Sequence, residues 1–410
     1  MQMTVGAVRR IRRILLGAAL CLSGPSVPHA HAEELRKGVA VPFIYEDARV
    51  YVPVRMGDLP PQWFILDTGA TATIIDTAVA RAAHLAVNDA GSVRGAGNGS
   101  SRQGETSALE LRVGVVPLAV SKPAVMDLAG LLGPTSGRAP AGIIGSQFFR
   151  EHYVQIDFAR REIAVLDSAA APPSPYAASV PLTFTNGTPL ANVTLTLPGG
   201  QAITAHALVD LGAKSTFLIP EPYIDRMKLR LAFPNQVVMG LGAGVGGDTS
   251  YAFARARRLA LADAPAAGVD EPVVGLSVGG TLRATWHEGL LGAEFLSRYV
   301  VGFDYAHQRL LLNPQSNAAQ RFDRSGLFLV ADAPEFRTIV VRQVLKGSPA
   351  ELAGLVAGDE IQQVDGASAA SLGLGEVRNR LKDPARATMV LGYRRSGQQH
   401  SSLLHLRDLL

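Results

Sequence analysis

Short runs of Val, Ile, Leu and Thr, separated by clusters of Gly, Pro, Asn and Asp, recur along the chain after Glu33. Runs of that length predict strands, and long stretches with a helical period are few, so the chain reads as mainly β. Two of the apolar runs end alike: Phe64-Ile65-Leu66-Asp67-Thr68-Gly69-Ala70 returns, altered, as Ala207-Leu208-Val209-Asp210-Leu211-Gly212-Ala213. Each predicts a buried strand with an acid at its end and a glycine that lets the backbone turn sharply after it.

A second pair of motifs follows in step. Gly142-Ile143-Ile144-Gly145 with Phe148-Phe149 matches Gly289-Leu290-Leu291-Gly292 with Phe295-Leu296. Each is followed by a strand ending in an acid and an aromatic, Asp157-Phe158 and Asp304-Tyr305, and then by another apolar run, Ile163 to Leu166 and Leu310 to Leu312. A repeat of about 145 residues is too long for a solenoid and suits two duplicated β-barrel lobes that share one site. Two matching acids suggest one shared water. The Pro-rich stretch Ala169 to Pro175 separates the copies, because it can hold neither a ladder nor a helix. The resulting division is a leader over 1–32, a first lobe over 33–168, a second over 176–316 and a different unit over 322–410.

That last unit carries Gly326-Leu327-Phe328-Leu329, a strand from Thr338 to Val344, and Lys346-Gly347-Ser348-Pro349-Ala350-Glu351-Leu352-Ala353-Gly354-Leu355. Ser348 can cap a short helix that Pro349 starts and Gly354 interrupts. Gly358-Asp359 and Asp365-Gly366 mark turns, and a second helix is predicted from Gly375 to Lys382.

The charge balance changes once the start of the chain is considered. The whole chain carries 39 Lys and Arg against 35 Asp and Glu, a net +4. Residues 1–32 begin with Arg9, Arg10, Arg12 and Arg13, continue through an apolar stretch from Ile14 to Leu22, and end at Ala30-His31-Ala32. This is the pattern of a cleaved secretory signal, too short in its apolar part to span a bilayer. Cleavage near Ala32 would leave a formally neutral periplasmic or secreted chain, which gives no reason to expect a nucleic-acid or anionic-membrane partner. The single cysteine, Cys21, lies in that leader, so neither disulfides nor thiol chemistry are expected of the remainder.

By Asp67-Thr68-Gly69-Ala70, the glycine-bracketed motifs and the repeat, residues 39–316 resemble the retropepsin-like aspartic proteases. The resemblance implies a bilobal acid-protease fold with Asp67 and Asp210 as the catalytic pair, supported by Thr68, Gly69 and Gly212, and with no cofactor and no metal. Two close carboxylates cannot both ionise easily, so they share a proton. Leu211 stands where Thr68 stands in the first copy, and in the family that hydroxyl ties the lobes together. A backbone donor left without a partner there would cost about 1–3 kcal/mol. Lys214, four residues after Asp210, is expected in solvent. Glycine-rich stretches at Arg94 to Gly99 and at Gly240 to Gly247 fit either a mobile hairpin over substrate or an ordinary surface hairpin.

Residues 322–410 resemble a PDZ domain of bacterial type, an α+β unit. The resemblance implies a groove in which Gly326, Leu327, Phe328 and Leu329 offer N–H groups to a peptide's terminal carboxylate. Two functions follow. One is an exported aspartic endopeptidase, a monomer because both half-sites lie in one chain, whose PDZ domain recruits C-terminal tails or regulates. The other is a peptide-binding protein that no longer cuts.

Rival motifs lack their context. Gly242-Ala243-Gly244-Val245-Gly246-Gly247 has no following helix or βαβ unit for a dinucleotide site, and Gly275-Leu276-Ser277-Val278-Gly279 starts no helix for a serine-hydrolase elbow. His84, His152, His206, His287, His307, His400 and His405 are scattered without ligand spacing.

Overall fold

The computed structural model describes residues 35, 38–170, 172, 175–279, 282–283, 286–316 and 318–410. The leader read at 1–32 lies outside the described residues.

Two ten-stranded sheets run in the same strand order. The first runs Val87–Val93, Ser101–Thr106, Ala124–Met126, Ile74–Asp76, Gly142–Ile144, Gln62–Leu66, Arg49–Met56, Leu109–Val113 and Val116–Val120, with Ile44–Glu46 attached to Arg49–Met56. In the second, Val237–Gly244, Gly247–Arg255, Val273–Val278, Phe217–Ile219, Gly289–Gly292, Ala202–Asp210, Thr188–Thr196, Arg258–Leu261 and Ala264–Asp270 take the corresponding places, with Thr183–Thr185 attached. The register repeats as well: Ile144 pairs in parallel with Leu66, and Leu291 with Val209. Each glycine-bracketed motif is therefore the strand beside an acid-bearing strand.

Neither sheet closes, which corrects the expected barrels. The pairing order ends at Val87–Val93 in one sheet and Val237–Gly244 in the other, because these outer hairpins project toward each other instead of returning to their own far edges. Strand Val87–Val93 is exposed along almost its whole length, as a polar, unpaired edge can be.

A third sheet stitches the halves together in the order Val39–Pro42, Glu162–Asp167, His152–Asp157, Tyr299–Asp304, Arg309–Pro314, Ala178–Pro181. Its central pair is antiparallel, with Val154 opposite Phe303 and Ile156 opposite Val301. Below it Phe149 packs edge-on to Phe303 at 5.0 Å, and Phe184 meets Tyr305 at 4.8 Å. One continuous apolar core fills both halves, so burial of aromatic surface fixes the lobes to each other.

The C-terminal unit is a sheet of Leu327–Ala331, Ile339–Val344, Glu360–Val364, Thr388–Arg395 and Gln398–His405 with its own core. Ser348 caps helix Pro349–Leu352 by accepting the N–H of Glu351 at 3.3 Å. The longer helix spans Ala369–Leu381 and breaks its helical dihedrals at Gly373. It begins earlier than the glycines suggested, because Ser368 caps it.

Candidate active site

Asp67 follows strand Gln62–Leu66, and its N–H reaches the carbonyl of Ile144 at 2.9 Å in the neighbouring motif. Its Oδ1 accepts the N–H groups of Gly69 at 2.8 Å and Ala70 at 3.1 Å. Asp210 ends strand Ala202–Asp210 and does the same, with Gly212 at 2.8 Å and Ala213 at 3.2 Å. The loops are held from behind alike: Ser146 N–H bonds Ala70 O at 2.8 Å, and Ala293 N–H bonds Ala213 O at 2.9 Å.

The structure brings the two acids together. A side-chain carbon at Gly69 would lie 2.7 Å from Asp210 Cγ, and one at Gly212 would lie 2.4 Å from Asp67 Oδ2. Each carboxylate thus rests on the other lobe's glycine, a close approach that no other residue type permits. The two carboxyl groups face each other across the lobe boundary, close enough to share a proton. Burial, and after it the charge of Asp67, pushes Asp210 well above the ordinary carboxylate range. Burial raises Asp67 too, while the Gly69 N–H and the Asp210 side chain pull it back. The proton behaviour belongs to the pair.

Thr68 is fully buried and reaches across the lobes. Its hydroxyl donates to Val209 O at 2.6 Å and accepts the N–H of Leu211 at 3.0 Å. The donor at Leu211 is therefore satisfied from the first lobe, and Leu211 itself joins the common core.

Lys214 is not in solvent. It is 9% exposed, and its Nζ binds the Asp47 carboxylate and the Thr135 carbonyl, the latter at 2.9 Å. Arg378 of the C-terminal unit binds the same two groups, each at 2.8 Å. Asp47 thus joins the first lobe, the loop after Asp210 and the C-terminal unit. Burial would raise its carboxyl, but the charges of Lys214 and Arg378 outweigh that and hold it below its usual range. Burial and the charge of Arg49 lower Lys214, with Asp47 pulling the other way. Asp47 had no motif to announce it: with Ala48 it makes a two-residue hairpin turn at positive φ, the place where an exposed Asp is ordinary.

The glycine-rich hairpins meet tip to tip. Gly97 N–H bonds Val245 O at 2.9 Å, and Gly99 N–H bonds Gly246 O at 2.8 Å. Each tip also packs on the opposite lobe. Val245 joins the cluster of Ile65, Ala70 and Ile143, and Ala96 joins that of Leu208, Ala213 and Leu290. Those residues flank the two acids, so the crossed tips bridge the cleft.

The expected carboxylate loop of the C-terminal unit is already engaged. The buried Asp323 accepts the N–H groups of Ser325 at 2.9 Å and Gly326 at 2.6 Å, and Ser325 Oγ accepts that of Leu327 at 3.1 Å. Leu329 O accepts Arg378 Nη2 at 2.6 Å, and Phe328 packs against the second lobe. The expectation that Gly326 and Leu327 present open donors to a tail is thus not met, because a local acid and hydroxyl satisfy them first. Leu409 and Leu410 pack with Phe328 on the second-lobe cluster.

A search of curated proteins finds no match. Residues 52–148, which hold Asp67, Thr68, Gly69 and the first glycine-bracketed motif, match the aspartyl protease family, and residues 340–395 match the PDZ domain family.

Proposed function

We propose that the chain is an exported aspartic endopeptidase whose nucleophile is a water held between Asp67 and Asp210. The observation that carries this reading is the seating of each carboxylate against the other lobe's glycine. The pair shares one proton, and in the microstate that attacks, Asp210 holds it while Asp67 serves as the base. Asp67 takes a proton from the water as its oxygen bonds to the scissile carbonyl carbon, and Asp210 gives its proton to the carbonyl oxygen. The proton taken by Asp67 then passes to the nitrogen of the resulting diol, the C–N bond breaks, and one of the two hydroxyl protons returns to Asp210 while the other stays on the product carboxyl. Export rests on the charged and apolar pattern of residues 1–32.

The apolar clusters beside the acids, Ile65 with Ile143 and Leu208 with Leu290, favour large apolar side chains on either side of the cut bond. Incubation of the protein with a diverse peptide pool from acid to neutral pH, read by mass spectrometry, tests the reading. New chain ends flanked by apolar residues support it. An uncut pool at every pH contradicts it.

A further inference from the structure

The second glycine-rich hairpin is held at its tip, along its outer strand by the PDZ domain, and at Gly242, where a side-chain carbon would lie 3.6 Å from Thr135 Oγ1 of the first-lobe helix Leu128–Ser136. At its tip it is bonded to the first hairpin, as described above. Along its outer strand, Val237–Gly244, it is held by the PDZ domain. Gln343 Nε2 donates to Val238 O at 3.4 Å, and its Oε1 accepts the Gly240 N–H at 3.3 Å, so one amide grips two consecutive outward-facing groups of the edge strand. The Phe328 ring lies on Gly240, where a side-chain carbon would be 2.6 Å from it. Arg342 faces Asp248 of the returning strand at 3.7 Å.

The PDZ domain is anchored elsewhere on the molecule. Phe336 packs on Gly133 and Leu374 on Gly137 at the end of the first-lobe helix Leu128–Ser136, and Arg378 binds Thr135 O and Asp47. That helix is itself fixed, since Asp76 Oδ2 accepts the N–H groups of Leu128 and Ala129 at 3.0 Å each. The linker is fastened too: Gln320 accepts the Val273 N–H and donates to Glu294, both at 2.8 Å. One face of the domain grips a fixed helix and the adjacent face grips the hairpin. The crossed hairpins span the cleft that an extended peptide would occupy, and Gln343 and Phe328 grip the outer strand of the second.

We infer that the PDZ domain is a latch on the second hairpin: it keeps the cleft shut through Gln343 and Phe328, and its release from that strand admits substrate. This rests on the reading of Asp67 and Asp210 as a peptidase site. The face that the fold resemblance assigns to peptide tails is thereby spent on the chain's own hairpin and helix.

Hydrogen exchange on the full chain tests the latch without relying on activity. In Gln343→Ala combined with Phe328→Ala, amides of 237–255 should exchange at least tenfold faster than in the wild type, while those of 360–364 and 388–395 stay protected. Arg342→Glu, an exposed change that leaves every core intact, should act in the same direction but less. Peptide hydrolysis should rise several-fold in step with hairpin exchange. Unchanged exchange in 237–255 would overturn the latch, and so would faster exchange accompanied by slower hydrolysis. If neither chain cleaves peptides, exchange alone decides the latch and only the peptidase reading falls.

Discussion

Thr68 holds Leu211 across the lobe boundary: its hydroxyl accepts the Leu211 N–H at 3.0 Å while donating to Val209 O at 2.6 Å. The tie runs one way, since Leu211 has no hydroxyl to return it. It ends on the residues that bracket Asp210, so one buried side chain of the first lobe positions the acid of the second.

Replacing Thr68 by Val keeps the shape and removes the hydroxyl. The Leu211 N–H then loses its acceptor in a buried setting, which costs about 1–3 kcal/mol. Urea unfolding should give an unfolding free energy lower by that amount, seen as a lower midpoint at unchanged slope, and peptide hydrolysis should fall because Asp210 loses its register. A variant with wild-type midpoint and rate would show that the second loop is held by other means.

The dyad stores a cost that depends on pH. Both acids are raised in the folded chain, by burial in each case. The folded state therefore keeps protons that the unfolded state has already released, and stability falls as pH rises above the unfolded carboxylate range. Asp210→Asn removes the part of that loss due to Asp210 and to its charge beside Asp67. Its melting temperature should match the wild type in acid and exceed it increasingly toward neutral pH, as expected where a strained site trades stability for function. A variant no more stable than wild type at neutral pH would contradict the assigned directions.

Asp47 works with the opposite sign. Its carboxyl is held low by Lys214 and Arg378, so its contribution is present above the unfolded carboxylate range and is lost as pH falls through and below that range. Asp47→Asn leaves two buried cations without their acid and should destabilise the neutral protein by about 3–5 kcal/mol. Adding Lys214→Met should recover part of the loss, because one unpaired charge is then gone. Thermal melts of both variants check this, and an Asp47→Asn chain as stable as wild type would exclude the cluster as a structural tie.

What was legible in the sequence was local. Asp67, Thr68 and Gly69 declare themselves because the acid, the turn and the strand behind them are contiguous, and the second frame repeats them. The two hairpins were visible as glycine-rich stretches, but not that Gly97 and Val245 would bond across the cleft, since that pairing joins segments far apart in the chain. Lys214 was misread for the same reason: nothing near it in sequence shows Asp47 opposite. Phe328 lay within a recognisable groove motif, yet its contact with Gly240 depends on how one domain docks on another, which no periodicity encodes. Closure of the lobes into barrels failed because edge strands that are free by pattern were drawn toward the other lobe.

The central claim is that Asp67 and Asp210 share the work of one water. The most direct measurement is kcat/KM for a peptide the wild type cleaves, compared across Asp67→Asn and Asp210→Asn at the wild-type optimum pH, with circular dichroism confirming both fold. Loss of general acid or base action should lower the rate by about 10²–10⁴-fold in each. Both variants falling together supports the shared site, whereas full activity retained in either would contradict it.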